Sequence, residues 1–264
     1  MFASDFLFDD QKASDFGLII SSESGGDAVV SGGEIDIVSV RPPDRDSFDY
    51  YLGKLDSPIQ FNFSVLKYSC DDPNDIYVTP EEESRIARWL LRKSKHQGYG
   101  WLQFDQDYYR DICYKVFFTE MKPMQVNGRT VGFELACISN CGYAFTNEKK
   151  HYFNLVSGTD VTIVLTNDII TYIYPRMKII GGSGNFYIRN LSDPDVQNSK
   201  SDFQNIASDL DINSEDDIIN GILSPTDFNW IFPRMVDGDN VFTTNSSNTL
   251  TIELTYREVR RILV

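Results

Sequence analysis

Residues Arg110–Ile138 limit the possible folds more than any other stretch. In RDICYKVFFTEM, Ile112, Tyr114, Val116 and Phe118 alternate onto one face, and in RTVGFELACI, Val131, Phe133, Leu135 and Cys137 do the same. Between the two arms stands Asn127-Gly128. Asn-Gly is the strongest two-residue signal for a type I′ hairpin, because both central positions need positive φ. Residues Lys115–Glu134 are therefore expected to form a long β-hairpin whose apolar face must be covered. Upstream, IQFNFSVLKY alternates over Ile59, Phe61, Phe63 and Val65, a further strong strand.

One helix is available to cover that face, expected over residues 80–95. Thr79 and Glu82 form a capping box, and Pro80 sits at the first helical position, where its missing N–H costs nothing. Glu81, Glu82 and Glu83 stand at the positive end of the helix, and Arg92, Lys93 and Lys95 at the negative end. Ile86, Trp89 and Leu90 share one face, which should cap the sheet made by Ile59–Val65 and the hairpin arms. Gly98 and Gly100 break the helix, and Trp101, Leu102 and Phe104 begin a strand.

The remaining apolar runs are short. Phe6–Asp9, Phe16–Ser21, Tyr50–Leu55 and Glu34–Val40 read as strands, the last half-buried with Ile35, Ile37 and Ser39 on one face. Cys141–Lys150 looks irregular, and a domain boundary is expected near His151–Gly158, where Cys and His disappear and Asn, Asp and Ser increase. Beyond it Val161–Leu165, Ile173–Ile180, Asn185–Asn190 and Thr249–Tyr256 read as strands, and Gly181–Gly184 as a turn. Residues 192–224 read as a long acidic loop, with weak alternation at Phe203–Leu210 and Ile218–Leu223. The expected fold is mainly β. An N-terminal β-sandwich-like domain over 1–150 carries one α-helix and the long hairpin, and a second β-sandwich spans 151–264.

The net charge is −15, spread as 24 acids and 16 bases over residues 1–155 and 15 acids and 8 bases over the rest. No basic stripe exists to neutralise phosphates, so specific nucleic-acid binding is not expected. The opening MFASDFLFDD lacks the pattern of a signal peptide, and no apolar run reaches the ~20 residues of a membrane span. Cys70, Cys113, Cys137 and Cys141 contain no CxxC pair and read as reduced thiols. Neither histidine, His96 or His151, has a local motif that would activate a cysteine, and Cys137, Cys141 and His151 are too loosely spaced for a zinc site. Asp209–Asn213 begins like a calcium loop but has Ser214 where Gly is needed and Asn220 where Glu is needed. Asp105, Asp107 and Asp111 pair with no acid of raised pKa. No catalytic group, cofactor or metal is expected. Asn229, Trp230 and Arg234 form a candidate partner or glycan face, although the alternation of DFNWIF points Trp230 toward the core.

Taken in order, these pieces resemble the distal tail proteins of long-tailed siphophages. The likeness runs through FLFDD, SDFGLII, GGEIDIVSV, YYLGKLDSPIQFNFSVLKY, the helix with WLQFD, and the Asn-Gly hairpin. It continues through YPRMKIIGGSGNFYIRN, FNWIFPRMVDGDNVFT and TLTIELTYREVRRIL. The resemblance implies a structural hub of the tail tip or baseplate rather than an enzyme. The first domain would form a homohexameric ring, meeting the tail-tube protein above and a tail-associated fibre or lysin protein below, with DNA passing through the lumen. The second, galectin-like domain would dock receptor-binding or other baseplate proteins. The protein would be made in the host cytoplasm and carried in the virion tail. Residues 192–224 depart from that pattern. The alternative reading is a glycan-binding, lectin-like β-sandwich.

Overall fold

The computed structural model describes residues 4–21, 29–31, 35–40, 50–68, 75–92, 98–106, 110–169 and 171–261. His96, Cys70, Asp107, Lys93, Lys95 and the loop 41–46 lie outside the described residues. The chain divides into Met1–Phe145 with Arg261–Val264, and Thr146–Arg260. The protein is mainly β, and among the described residues Pro80–Leu90 is the one α-helix.

In the first unit the hairpin arms are Ile112–Val126 and Arg129–Ser139. They pair from Val126↔Arg129 outward, and the turn has φ of 52° at Asn127 and 73° at Gly128. The register shifts between Thr130 and Gly132 and again between Ala136 and Cys137. Bulges of this kind increase local twist. The sheet runs Gln11–Lys12, Phe6–Phe8, Gly100–Phe104, the two hairpin arms, Gln60–Lys67, Leu18–Ser21, all antiparallel. Its covered face gathers Phe6, Phe8, Phe61, Phe63, Val65, Phe104, Phe118 and Phe133 into one core, onto which Ile86 and Leu90 of the helix are laid.

The helix stops at Leu90 instead of reaching residue 95. Leu91 caps it by donating its N–H to the Ala87 carbonyl at 2.8 Å, and Arg92 takes a left-handed φ of 66°. Arg92 therefore leaves the helix axis; its guanidinium pairs with Asp9 and lies 4.6 Å over the Phe8 ring. The capping box forms at the other end: the Glu82 N–H donates to Thr79 Oγ1 at 3.3 Å, and the Thr79 N–H donates to Glu82 Oε2 at 2.8 Å. Lys67 ties this end to the sheet by donating to both the Tyr77 carbonyl and Glu82.

Ile35–Val40 is a strand, but it is not half-buried. It pairs with Tyr50–Asp56 in a separate two-stranded ribbon. Val38 and Val40 are exposed on one side, and Ile37, on the other, has 70% of its surface exposed. Alternation predicts a strand; it does not predict that something covers it.

In the second unit two antiparallel sheets each bury one face. One runs Lys149–Leu155, Leu250–Tyr256, Arg176–Ile180, Leu210–Asn213, Ile218–Asn220; the other runs Val161–Leu165, Gly238–Thr244, Gly184–Asn190, Lys200–Ile206. Leu155, Ile252, Leu254, Met177, Ile179 and Ile212 of the first, and Ile163, Phe242, Ile188 and Phe203 of the second, are buried. Two expectations fail here. A boundary at 150/151 would cut strand Lys149–Leu155, which is ladder-bonded along its whole length from Lys149↔Tyr256 to Leu155↔Leu250. The acidic segment 192–224 is not a loop, because it contains strands Lys200–Ile206, Leu210–Asn213 and Ile218–Asn220. Asp209, Glu215, Asp216 and Asp217 are exposed, Asp193 is buried, and Ser201, Phe203, Ile206, Leu210 and Ile212 are buried. High acidity masked a period-2 pattern of the ordinary strand kind.

Candidate functional site

The residues singled out in the sequence fall at three separate places. On the helix, Ile86 and Leu90 are fully buried and Trp89 is half-buried. The Trp89 indole is stacked on Phe6 at 5.6 Å and on Phe16 at 4.4 Å, each within 8° of parallel. Its Nε1–H donates to the Phe8 carbonyl at 3.0 Å. Trp89 thus seals the strand Phe6–Phe8 and the short turn Ala13–Phe16 against the helix. At the hairpin turn, Asn127 and Gly128 are both exposed.

Asn229, Trp230 and Arg234 do not converge on a shared ligand position. The Asn229 amide is used internally: Oδ1 accepts from the Asp202 N–H at 3.1 Å, and Nδ2 donates to the Lys200 carbonyl at 2.9 Å. Arg234 donates from Nε to Asp193 at 2.6 Å and from Nη2 to Asp195 at 3.0 Å, with its guanidinium 4.0 Å over the Tyr172 ring. Burial alone would lower the Arg234 pKa; the carboxylates of Asp193 and Asp195 outweigh it and hold the guanidinium above its ordinary value. The Asp193 side chain is completely buried, so this pair pins the segment after strand Gly184–Asn190. The run Ser192-Asp193-Pro194-Asp195 was visible in the sequence, but its partner lies 39 to 41 positions away.

Trp230 is 54% exposed and not a core residue. Its φ of 59° breaks the extended run, so the alternation that buries Phe228 does not carry on through it. Its Nε1–H donates to the Pro225 carbonyl at 3.1 Å, and its ring leans on Phe228 and Phe232.

The other chemical candidates are structural. Cys137 is buried, and burial pushes its thiol far above the ordinary range. His151 stacks on Tyr256 with 5.6 Å between ring centres. Asp211, from the failed calcium motif, is held by Arg176 through two hydrogen bonds of 2.9 and 2.6 Å. Asp105 is 3.7 Å from Arg110. Among the described residues no three His, Cys, Asp or Glu side chains gather as a metal site, and no helix is long and apolar enough to cross a membrane.

The feature that sequence reading missed is the exposed apolar ribbon. Besides Ile37, Leu52 is 64% exposed, and Val38 and Val40 are partly exposed. Its signal was present in the alternation of EIDIVSV, but the absence of a covering layer is a tertiary property.

Comparison with known proteins places these features. A sequence profile described as phage tail protein N-terminal domain matches residues 1–141, and one described as phage tail C-terminal domain matches residues 143–256. A search of curated proteins gives no match. Among solved structures, the Dit protein of phage SPP1 shares the fold over 97% of this chain and 98% of its own, with a TM-score of 0.60 and 10% identity. A chain of the phage P2 baseplate, in its activated conformation with Ca, aligns over all of both chains with a TM-score of 0.55 and 9% identity. The same baseplate with Sr gives 0.54, also at 9% identity, over 98% of this chain and 99% of that one. The SPP1 protein is described as a paradigm of the hub adsorption apparatus in phages that infect Gram-positive hosts. The N-terminal profile alone spans more than half of the residues, and the chain belongs to this family of phage tail proteins.

Proposed function

We propose that this chain is a structural hub of a phage tail tip or baseplate, working as a homohexameric ring. Family membership and the fold shared with the SPP1 hub protein support the tail-hub reading. The observation that carries the ring is the ribbon Ile35–Val40/Tyr50–Asp56, whose apolar side chains Ile37, Val38, Val40 and Leu52 are exposed in the single chain. A ribbon apolar on both sides is an aggregation hazard unless a partner covers it. A second copy of the chain is the partner, through a head-to-tail contact that closes into a ring. Each contact would bury on the order of 1,000 Å2 or more. The ring would join the tail-tube protein on one side to a fibre or lysin protein on the other, and the second, galectin-like unit would carry receptor-binding or other baseplate proteins. With −15 on every copy, DNA in the lumen would meet like charge and pass without sticking.

Size-exclusion chromatography with light scattering is the direct test. Wild type should elute with the mass of six copies of the 30.2 kDa chain and show six-fold rings by electron microscopy. The double variant I37D/L52D should elute as a monomer with unchanged thermal stability, since both side chains are exposed within the chain. A monomeric wild type at every concentration tested would rule the ring out.

A further inference from the structure

The sheet that begins with Lys149–Leu155 turns a water-facing side outward, and the ladder register places its side chains in rows. One row runs Lys150, Thr255, Arg176; the next runs Tyr152, Glu253, Lys178, Asp211. A cleft of about 210 Å3 lies on this face, lined by Glu148, Lys150, Arg176, Lys178, Glu253 and Thr255. That is below the ~300–1,000 Å3 of sites for drug-sized ligands, so it suits a ligand of one or two small rings.

The partners of these groups decide what could bind. Lys150 sits 3.4 Å from Glu148, and Arg176 is held by Asp211 through Nε and Nη2. Lys178 and Glu253 stand directly opposite each other in the ladder, yet among the described residues neither makes an ion pair or a side-chain hydrogen bond. A donor and an acceptor therefore stand side by side with their hydrogen-bonding positions open, Glu253 acting on Arg176 and Lys178 on Asp211 only through charge. Cations and acids balance across the cleft, so it fits a neutral polyol better than an anion. Next to Glu253 on the same face stands Tyr152, with 67% of its surface exposed and no neighbouring ring among the described residues. An exposed aromatic plane beside paired polar groups is a platform for a ring that has one apolar face and a rim of hydroxyls.

We infer that this face binds a saccharide, with a hexose or N-acetylhexosamine unit stacked on Tyr152 and its hydroxyls bonded to Glu253 and Lys178. The site is distinct from the Trp230 corner, where the polar side chains are already spent on the protein itself. The inference does not depend on the hexameric ring.

Ligand-observed saturation-transfer NMR on the full-length protein tests it, using the methyl glycosides of glucose, galactose, N-acetylglucosamine and N-acetylgalactosamine. At least one should receive transfer to its ring protons, with Kd in the micromolar to millimolar range. Y152A and E253Q should each weaken binding about tenfold or more while leaving the melting temperature unchanged, because both side chains are on the solvent side of the sheet. Inorganic phosphate serves as the competing probe. Three results would overturn the inference: no transfer to any glycoside, binding unaffected by Y152A, or tighter binding of phosphate than of every glycoside.

Discussion

Trp89 is where the helix is fastened to the N-terminal strand, and its geometry makes the consequence of removing it calculable. Trp89→Ala removes both ring stacks and the bond to the Phe8 carbonyl, so it should lower stability by about 3 kcal/mol. Trp89→Phe keeps much of the stacking and should lose ~1 kcal/mol, the part due to the hydrogen bond. Urea denaturation of both variants separates the two contributions; equal losses would show that the hydrogen bond dominates. Glu82 gives a pH prediction. Burial would raise its carboxyl pKa, but the Thr79 N–H and the Lys67 ammonium outweigh that effect and hold it below the ordinary 4.5. A group whose folded pKa is depressed stabilises the fold above its unfolded pKa, and this contribution is lost as pH falls through the folded value. Wild type should therefore lose stability below about pH 4.5, and Glu82→Gln should flatten that part of the profile. Thermal melts in a series of acidic buffers give the comparison. Arg234 belongs to the same scale: Asp193→Asn leaves a largely buried guanidinium short of its main partner, and the loss should be about 3 kcal/mol.

At the scale of elements, the hairpin is the test case. Gly128 sits at φ 73°, where a side chain is disfavoured, so Gly128→Val should lower stability by roughly 1–2 kcal/mol without changing the core. Gly132 is constrained by space. A Cβ there would come within 2.1 Å of the Val65 carbonyl oxygen, backbone that cannot rotate away. Gly132→Ala should thus cost about 1–3 kcal/mol and shift amide resonances along Gln60–Lys67. If that strand's spectrum is unchanged, the two backbones are not in close approach. The turn itself was readable from Asn127-Gly128, since its chemistry is local. Gly132 was not readable, because what makes it necessary is a strand some 65 positions earlier.

For the molecule as a whole, the chain divides into two compact units, and the expectation is that each folds by itself. Residues 143–260, which keep strand Ala144–Thr146 whole, are expected when produced alone to unfold in one cooperative thermal transition and to keep a β-type circular dichroism spectrum. A fragment that binds ANS and melts without a cooperative transition would mean that the second unit depends on the first. The choice of ends matters: a fragment beginning at 151 removes Lys149 and Lys150 from a ladder-bonded strand and should be less stable.

The β class, the capped N-terminus of the helix, the Asn-Gly turn and the apolar side of each long strand were all legible in the amino-acid order alone. These follow from short-range physics: alternation with a period of two, capping chemistry and the sign of φ. The order of those pieces was also enough to point to tail proteins. It took long-range packing to set where the helix stops, that 192–224 contains three strands, that Trp230 faces water, and that Ile37 and Leu52 are exposed. Each of those depends on a partner distant in the chain, or on the lack of one. Arg92 leaves the helix with Asp9 as its partner, Arg234 is drawn to Asp193, and among the described residues the two ribbon strands pair only with each other. Alternation records which residues avoid water, and it carries no information about which surface supplies the cover.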